Sequence, residues 1–87
     1  MHELSIALSL VDAVCEELPR IGSHVSVKAV HVRIGPLSGV VPDALAFAFD
    51  IASSGSAIAG ARLECQDADG RTLEIAALEI VDDAENC

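Results

Sequence analysis

Val25-Ser26-Val27-Lys28-Ala29-Val30-His31-Val32-Arg33-Ile34 is the stretch on which the fold turns. Its valines and isoleucine are branched at Cβ, stiff at χ1 and suited to a pleated surface, so the stretch reads as a strand. Apolar residues occupy both alternating sets: Val25, Val27 and Ala29 in one, Val30, Val32 and Ile34 in the other. A strand covered on both faces has this pattern, and so does a strand that carries a bulge.

Upstream of it, Leu4, Ala7, Leu8, Val11, Val14, Cys15 and Leu18 recur at steps of three and four, with Ser5, Ser9, Asp12 and Glu16 opposite. That spacing predicts an amphipathic helix with these apolar residues on its core face. Glu3 suits the positive end of its dipole, and Pro19 and Gly22 are expected to terminate it. Downstream, Gly35-Pro36-Leu37-Ser38-Gly39 is a turn-rich connection. Pro42 then suits the first turn of a second helix running to about Ala52, with Leu45, Ala48, Phe49 and Ala52 as its apolar stripe. Ala61, Leu63 and Cys65 alternate with Arg62, Glu64 and Gln66, which predicts a half-buried strand. After the turn Asp67-Ala68-Asp69-Gly70, Leu73 and Ile75 lie in one phase and Leu78 and Ile80 in the other. An extra residue at Ala76-Ala77 would restore the inward direction. Asp82 to Cys87 reads as a short acidic tail.

The order helix, strand, helix, strand, strand predicts an α/β fold: a small two-layer sandwich with a three-stranded mixed sheet, in one domain over residues 1–87. The first two strands, joined through a helix, should run parallel with a right-handed crossover. The last two are expected to form an antiparallel hairpin.

The chain has 87 residues, 52% of them apolar, with Phe47 and Phe49 as the sole aromatics. The core must therefore be aliphatic, and there is no Trp or Tyr to stack on bases. Fourteen acidic side chains against five basic ones give a net charge of -9. This balance argues against nucleic acid and against an anionic membrane surface. It suits a basic partner or a cationic cargo. Met1-His2-Glu3 is not a signal-peptide start, and no apolar run approaches the length of a membrane span, so a cytoplasmic location is expected. Cys15, Cys65 and Cys87 are too few and too scattered for a disulfide framework or a zinc knuckle within one chain. Cys15 and Cys65 fall on apolar faces and read as core; Cys87 reads as a free thiol in the tail. No phosphate-cradling glycine loop or nucleophile elbow is present, and the acid pairs Glu16-Glu17 and Asp82-Asp83 read as solvated charge. A non-enzyme is expected.

The residue with the most chemistry is His2. An α-amine, the His2 backbone nitrogen and the His2 ring nitrogen can close adjacent chelate rings around one metal, with the Glu3 backbone nitrogen as a fourth donor. Four nitrogens in a plane suit Ni(II) or Cu(II). The plain alternative is a solvated histidine at a chain end. His24 reads as an exposed loop residue, and His31 as a half-buried structural histidine rather than a ligand.

The residues also resemble a family. Met1-His2-Glu3-Leu4-Ser5-Ile6-Ala7 is similar to the start of the hydrogenase nickel-incorporation proteins (HypA/HybF). So are Val32-Arg33-Ile34-Gly35, Leu37-Ser38-Gly39-Val40-Val41-Pro42-Asp43-Ala44-Leu45 and Phe47-Ala48-Phe49-Asp50, which follow the family's first strand. Gly60-Ala61-Arg62-Leu63-Glu64 resembles its second strand, and Leu73-Glu74-Ile75 with Leu78-Glu79-Ile80 its last. The resemblance implies a nickel metallochaperone that serves maturation of the [NiFe] hydrogenase large subunit, and in some relatives urease, together with a nickel-handling GTPase. It implies nickel at Met1, His2 and Glu3. Two departures stand out. The family's zinc domain, with two Cys-x-x-Cys pairs, lies between the last two strands, where this chain has only Gln66-Asp67-Ala68-Asp69-Gly70. Pro36 stands where the family often has an acidic residue. The missing insertion leaves a second expectation open: an interaction module that binds or regulates a maturation GTPase or a metalloenzyme subunit without carrying metal. A monomer and a dimer are both compatible with the sequence.

Overall fold

A computed structural model describes residues 2–82. The elements are α1 (Glu3–Ile21), β1 (Val25–Ile34), α2 (Pro42–Ser53), β2 (Arg62–Asp67) and β3 (Leu73–Asp82). The α/β sandwich with a three-stranded mixed sheet is as the sequence predicts. Both helices cover one face of the sheet and the other faces solvent.

In α1, Ala7, Leu10, Val11 and Val14 are buried at helical spacing. Two expectations fail here. Pro19 does not end the helix, which runs on to Ile21. Proline forbids one ladder bond but its fixed φ is helical, and in the last turn little helix remains to be disturbed. Gly22 caps the helix instead at φ 141°, and its N–H donates to Leu18 O at 3.0 Å. In addition, Leu4 and Leu8 are not core: they are 50% and 48% exposed.

β1 is the central strand, with the order β2-β1-β3. It pairs in parallel with β2, from Ala29 opposite Arg62 to Ile34 opposite Asp67. It pairs antiparallel with β3, from Val25 opposite Asp82 to Ile34 opposite Leu73. The apolar residues in both phases of β1 are explained by a bulge: Val27 faces Ile80 and Ala29 faces Glu79, so Lys28 is the extra residue. In β3 the extra residue is Ala76, because His31 faces Ala77 and Val32 faces Ile75. Each bulge returns the following apolar residues to the helix side.

The expected β2–β3 hairpin is not formed, since β1 lies between the two strands. A third strand beside β2 would leave one edge of the Val/Ile-rich β1 bare and leave α1 without a sheet beneath it. On the far edge of β1, Ile75 and Leu78 pack into the core instead. The β2–β3 connection therefore crosses the end of β1. Ala68 N–H donates to Ile34 O (3.1 Å), Gly35 N–H to Thr72 O (2.8 Å) and Leu37 N–H to Gly70 O (2.7 Å).

The innermost side chains are Phe49, Leu45, Ile58, Val14, Val30 and Val32. Ile58 comes from the turn after α2 and has no periodic signal in the sequence. Ser56 sets it: its hydroxyl donates to Ser53 O at 2.7 Å and accepts the Ile58 N–H at 3.1 Å. Cys65 is exposed rather than core, because β2 is an edge strand with no strand on its far side among the described residues; Cys15 is half-buried against the core. Asp82 belongs to β3, whereas the tail with Asp83 and Cys87 lies outside the described residues.

Candidate metal centre

His2 is the N-cap residue of α1, with φ -107° and ψ 43°, and its side chain makes no capping hydrogen bond. It is exposed. The helical ladder begins at its carbonyl, which accepts the Ile6 N–H at 3.0 Å. The imidazole is thus not consumed by the fold. Glu3 follows in the first turn, and its Oε2 accepts the Val41 N–H at 3.4 Å. Val41 is the N-cap residue of α2. That bond sets the starts of both helices side by side, so two positive dipole ends converge near His2. Glu3 and Asp43, one acid in each first turn, oppose that potential. The amino-terminal ammonium, then the Glu3 backbone N–H and that of Val41, hold the Glu3 carboxyl below the usual carboxylate range. Met1, the third residue implicated by the sequence, lies outside the described residues.

Among the described residues no three His, Cys, Asp or Glu side chains are grouped to hold a metal. A site at His2 would draw on backbone nitrogen rather than on a side-chain cage. The other histidines are placed as their sequence contexts predict. His24 is exposed in the turn before β1. His31 is half-buried on the solvent face of the sheet, with Nε2 3.1 Å from Glu79 Oε1 and Nδ1 3.5 Å from Gln66 Nε2. A carboxylate only accepts and an amide NH2 only donates, so these partners favour the tautomer with hydrogen on Nε2. Cys65 is a poor ligand candidate. Partial shielding, followed by the Asp43 and Glu64 charges, pushes its thiol up, away from the thiolate that binds metal.

The sequence does not show the ladder around His31, because opposite charges on alternate strand positions reveal partners only once the register is known. Arg62 donates to Glu64 and, at 3.3 Å, to Glu79 Oε2; Arg33 donates to Glu74 at 3.0 Å. Glu64, then Glu79, raises the Arg62 guanidinium, while the His31 hydrogen bond and then Arg62 lower the Glu79 carboxyl. A depressed carboxyl stabilises the fold fully above its unfolded value near 4.5 and loses that contribution as pH falls through the lower folded value. The stability difference between wild type and Glu79→Gln is therefore expected to hold from neutral pH down to about that value and to shrink below it. Urea midpoints across the acid range would show this, and a difference independent of pH would exclude the ladder as its source.

A family model described as hydrogenase/urease nickel incorporation, metallochaperone, HypA matches residues 1–80. The chain belongs to the HypA family. HypA of Roseiflexus sp. is 54% identical over 67 residues, 77% of this chain and 54% of that protein. HypA of Thermomicrobium roseum is 52% identical over 68 residues, 76% of this chain and 50% of that protein. The chain thus spans about half the length of these HypA relatives. The solution structure of the Ni metallochaperone HypA from Helicobacter pylori superposes with a TM-score of 0.75, covering 93% of this chain and 98% of that one at 20% identity. At that identity the likeness speaks for the shared fold alone. As a family, HypA proteins are maturation factors and not enzymes.

Proposed function

We propose that this HypA-family chain carries Ni(II) at its amino terminus and hands it over during [NiFe] hydrogenase maturation. The observation that carries the reading is His2: it lies at the first residues matched by the nickel-incorporation family model, and its imidazole is exposed with no capping bond. The donors are the Met1 amine, the His2 backbone and ring nitrogens, and the Glu3 backbone nitrogen, a planar nitrogen set suited to Ni(II). The first N–H groups of a helix have no intrahelical acceptor, so recruiting them breaks no ladder bond. The Glu3 carboxylate, tied to Val41, supplies negative charge beside the ion and offsets the two helix dipoles.

Metal displaces protons from these nitrogens, so affinity should fall as pH drops, beginning with an amine whose ordinary pKa is about 7.7–8.0. A reversible site of this kind suits handover to a nickel-handling GTPase and then to the hydrogenase large subunit, in the cytoplasm. Among the described residues no helix is long and apolar enough to cross a membrane. The link between β2 and β3 carries no cysteine, and this reading places no zinc site in it.

Titrating Ni(II) into untagged protein is expected to give the absorption band of a square-planar nitrogen complex, absent in His2→Ala and weakened at pH 6 relative to pH 8. Equal binding by wild type and His2→Ala would remove the proposal. The cysteine-free link between β2 and β3, beside a retained helix and strand pattern, favours one competing reading, a module that binds the GTPase or an enzyme subunit without carrying nickel. Partner binding by a protein with no measurable nickel affinity would decide for it.

A further inference from the structure

The helix pair leaves a row of apolar side chains outside the core. Leu4 and Leu8 on α1 are 50% and 48% exposed, and Phe47 and Ile51 on α2 are 70% and 55% exposed. They form one surface, as the helix geometry shows. Ile6 and Leu10 line a hollow with Leu73, so that flank of α1 faces β3. Leu4 and Leu8 lie two residues, about 200°, around the helix from Ile6 and Leu10, on the flank toward α2. Phe47 and Ile51 are likewise displaced by two residues from the fully buried Leu45 and Phe49, so they point away from the sheet. The Glu3–Val41 bond aligns the two helix starts. At 1.5 Å per residue, Leu8 and Phe47 then stand about 7.5 Å and 9 Å along their helices, at nearly the same height.

The charge around this row has one sign. Asp12 follows Leu8 by four residues, and Asp43 and Asp50 flank Phe47 at four and three residues; all three are exposed. The two helices together carry Glu3, Asp12, Glu16, Glu17, Asp43 and Asp50 against Arg20 alone. On the solvent face of the sheet, by contrast, Arg33 and Arg62 are paired with Glu74, Glu64 and Glu79. Most of the acidic excess of the described chain is therefore carried by the two helices.

We propose that the outward face of α1 and α2, centred on Leu8, Phe47 and Ile51, is a docking surface for a cationic amphipathic helix of a partner protein. Two aligned helices offer a groove, and a helix laid in it presents apolar residues at steps of three and four to the row and basic residues to the aspartates. A second copy would set this acidic rim against its own like, and an anionic bilayer would be repelled in the same way. The surface borders the proposed nickel site through Val41. It rests on that reading for its purpose, a handover at short range, but not for its existence.

The probe is a fluorescein-labelled peptide of about five helical turns with leucine on one face and lysine on the other, beside a leucine–glutamate counterpart, followed by fluorescence anisotropy. Wild type is expected to bind the lysine peptide and not the glutamate peptide. Phe47→Ser/Ile51→Ser should weaken binding about tenfold or more, as loss of central apolar anchors does, whereas Val81→Ser on β3 should not. Asp43→Asn/Asp50→Asn should weaken it at low salt and narrow the difference between low and high salt. Circular dichroism checks that these surface variants stay folded. Several results would overturn the proposal: no binding by wild type, equal binding of the two peptides, or equal binding by Phe47→Ser/Ile51→Ser. A dimer in sedimentation that this double variant dissolves would assign the face to a second copy and overturn it too, and co-sedimentation with anionic vesicles would assign it to a membrane. His2→Ala should bind the peptide normally, and Phe47→Ser/Ile51→Ser should bind nickel normally, so failure of either reading is seen separately.

Discussion

Phe49→Ala is expected to destabilise the domain by about 3–5 kcal/mol, the range for removing a fully buried phenylalanine. Phe49 has no exposed surface and sits among Leu45, Ala48, Ile58, Val30 and Val32. No other aromatic side chain is buried: the chain has two phenylalanines and no Trp or Tyr, and Phe47 is 70% exposed. The neighbours are aliphatic, anchored on a helix and a central strand, and cannot close the space without moving backbone. Folded domains have only about 5–15 kcal/mol in reserve, and one of this size lies toward the lower end. Much of the Phe49→Ala population should therefore be unfolded at physiological temperature. Phe47→Ala, two residues away, should change stability by no more than about 0.5 kcal/mol. Urea unfolding followed by far-ultraviolet circular dichroism compares the two directly. Similar midpoints would mean that α2 does not pack on the sheet through Phe49.

A single methyl group at position 35 should have the next largest effect. Gly35 ends β1 where the β2–β3 connection passes over it, and a Cβ there would lie 2.3 Å from Gly70 O and 2.6 Å from Asp69 O. Both are backbone atoms in a segment held by the Gly35–Thr72, Leu37–Gly70 and Ala68–Ile34 hydrogen bonds. The methyl cannot be accommodated by a side-chain rotation, so the crossing must lift and those bonds must lengthen or break. Overpacking of this kind costs about 1–3 kcal/mol, and the loss should lie at the upper end because backbone has to move. Hydrogen exchange locates the damage: the amides of Gly35, Leu37 and Ala68 should lose protection in Gly35→Ala, while those of α1 should open only with global unfolding. Unchanged protection at the three amides would show that the crossing is loose enough to absorb the group. The link between β2 and β3 is a short tie across the end of β1, and not the hairpin tip that the sequence suggests.

What could be read directly concerns residues close together along the chain. The valine-rich run 25–34, the proline before α2 and the phase slip near Ala76 each announce a local conformation, and each element stands within a few residues of its expected place. His2 is legible as a candidate for the same reason, since the proposed chelate would involve only consecutive atoms. Its setting is not: the Val41 bond to Glu3 joins residues 38 apart in sequence. The same holds for the ladder of His31, Glu79 and Arg62, which exists because three strands come into one register.

Sequence by itself determined which segments are helical or extended, which faces are apolar, the acidic balance and the candidate histidine at position 2. These follow from backbone sterics, side-chain periodicity and donor chemistry, all of short range. Tertiary structure alone decided that β3 lies beside β1, that Leu4, Leu8 and Phe47 stay in water, that Cys65 stands at an edge and that position 35 admits no side chain. Each of those outcomes depends on which distant element occupies the space around a residue, and periodicity along one segment carries no record of its neighbours.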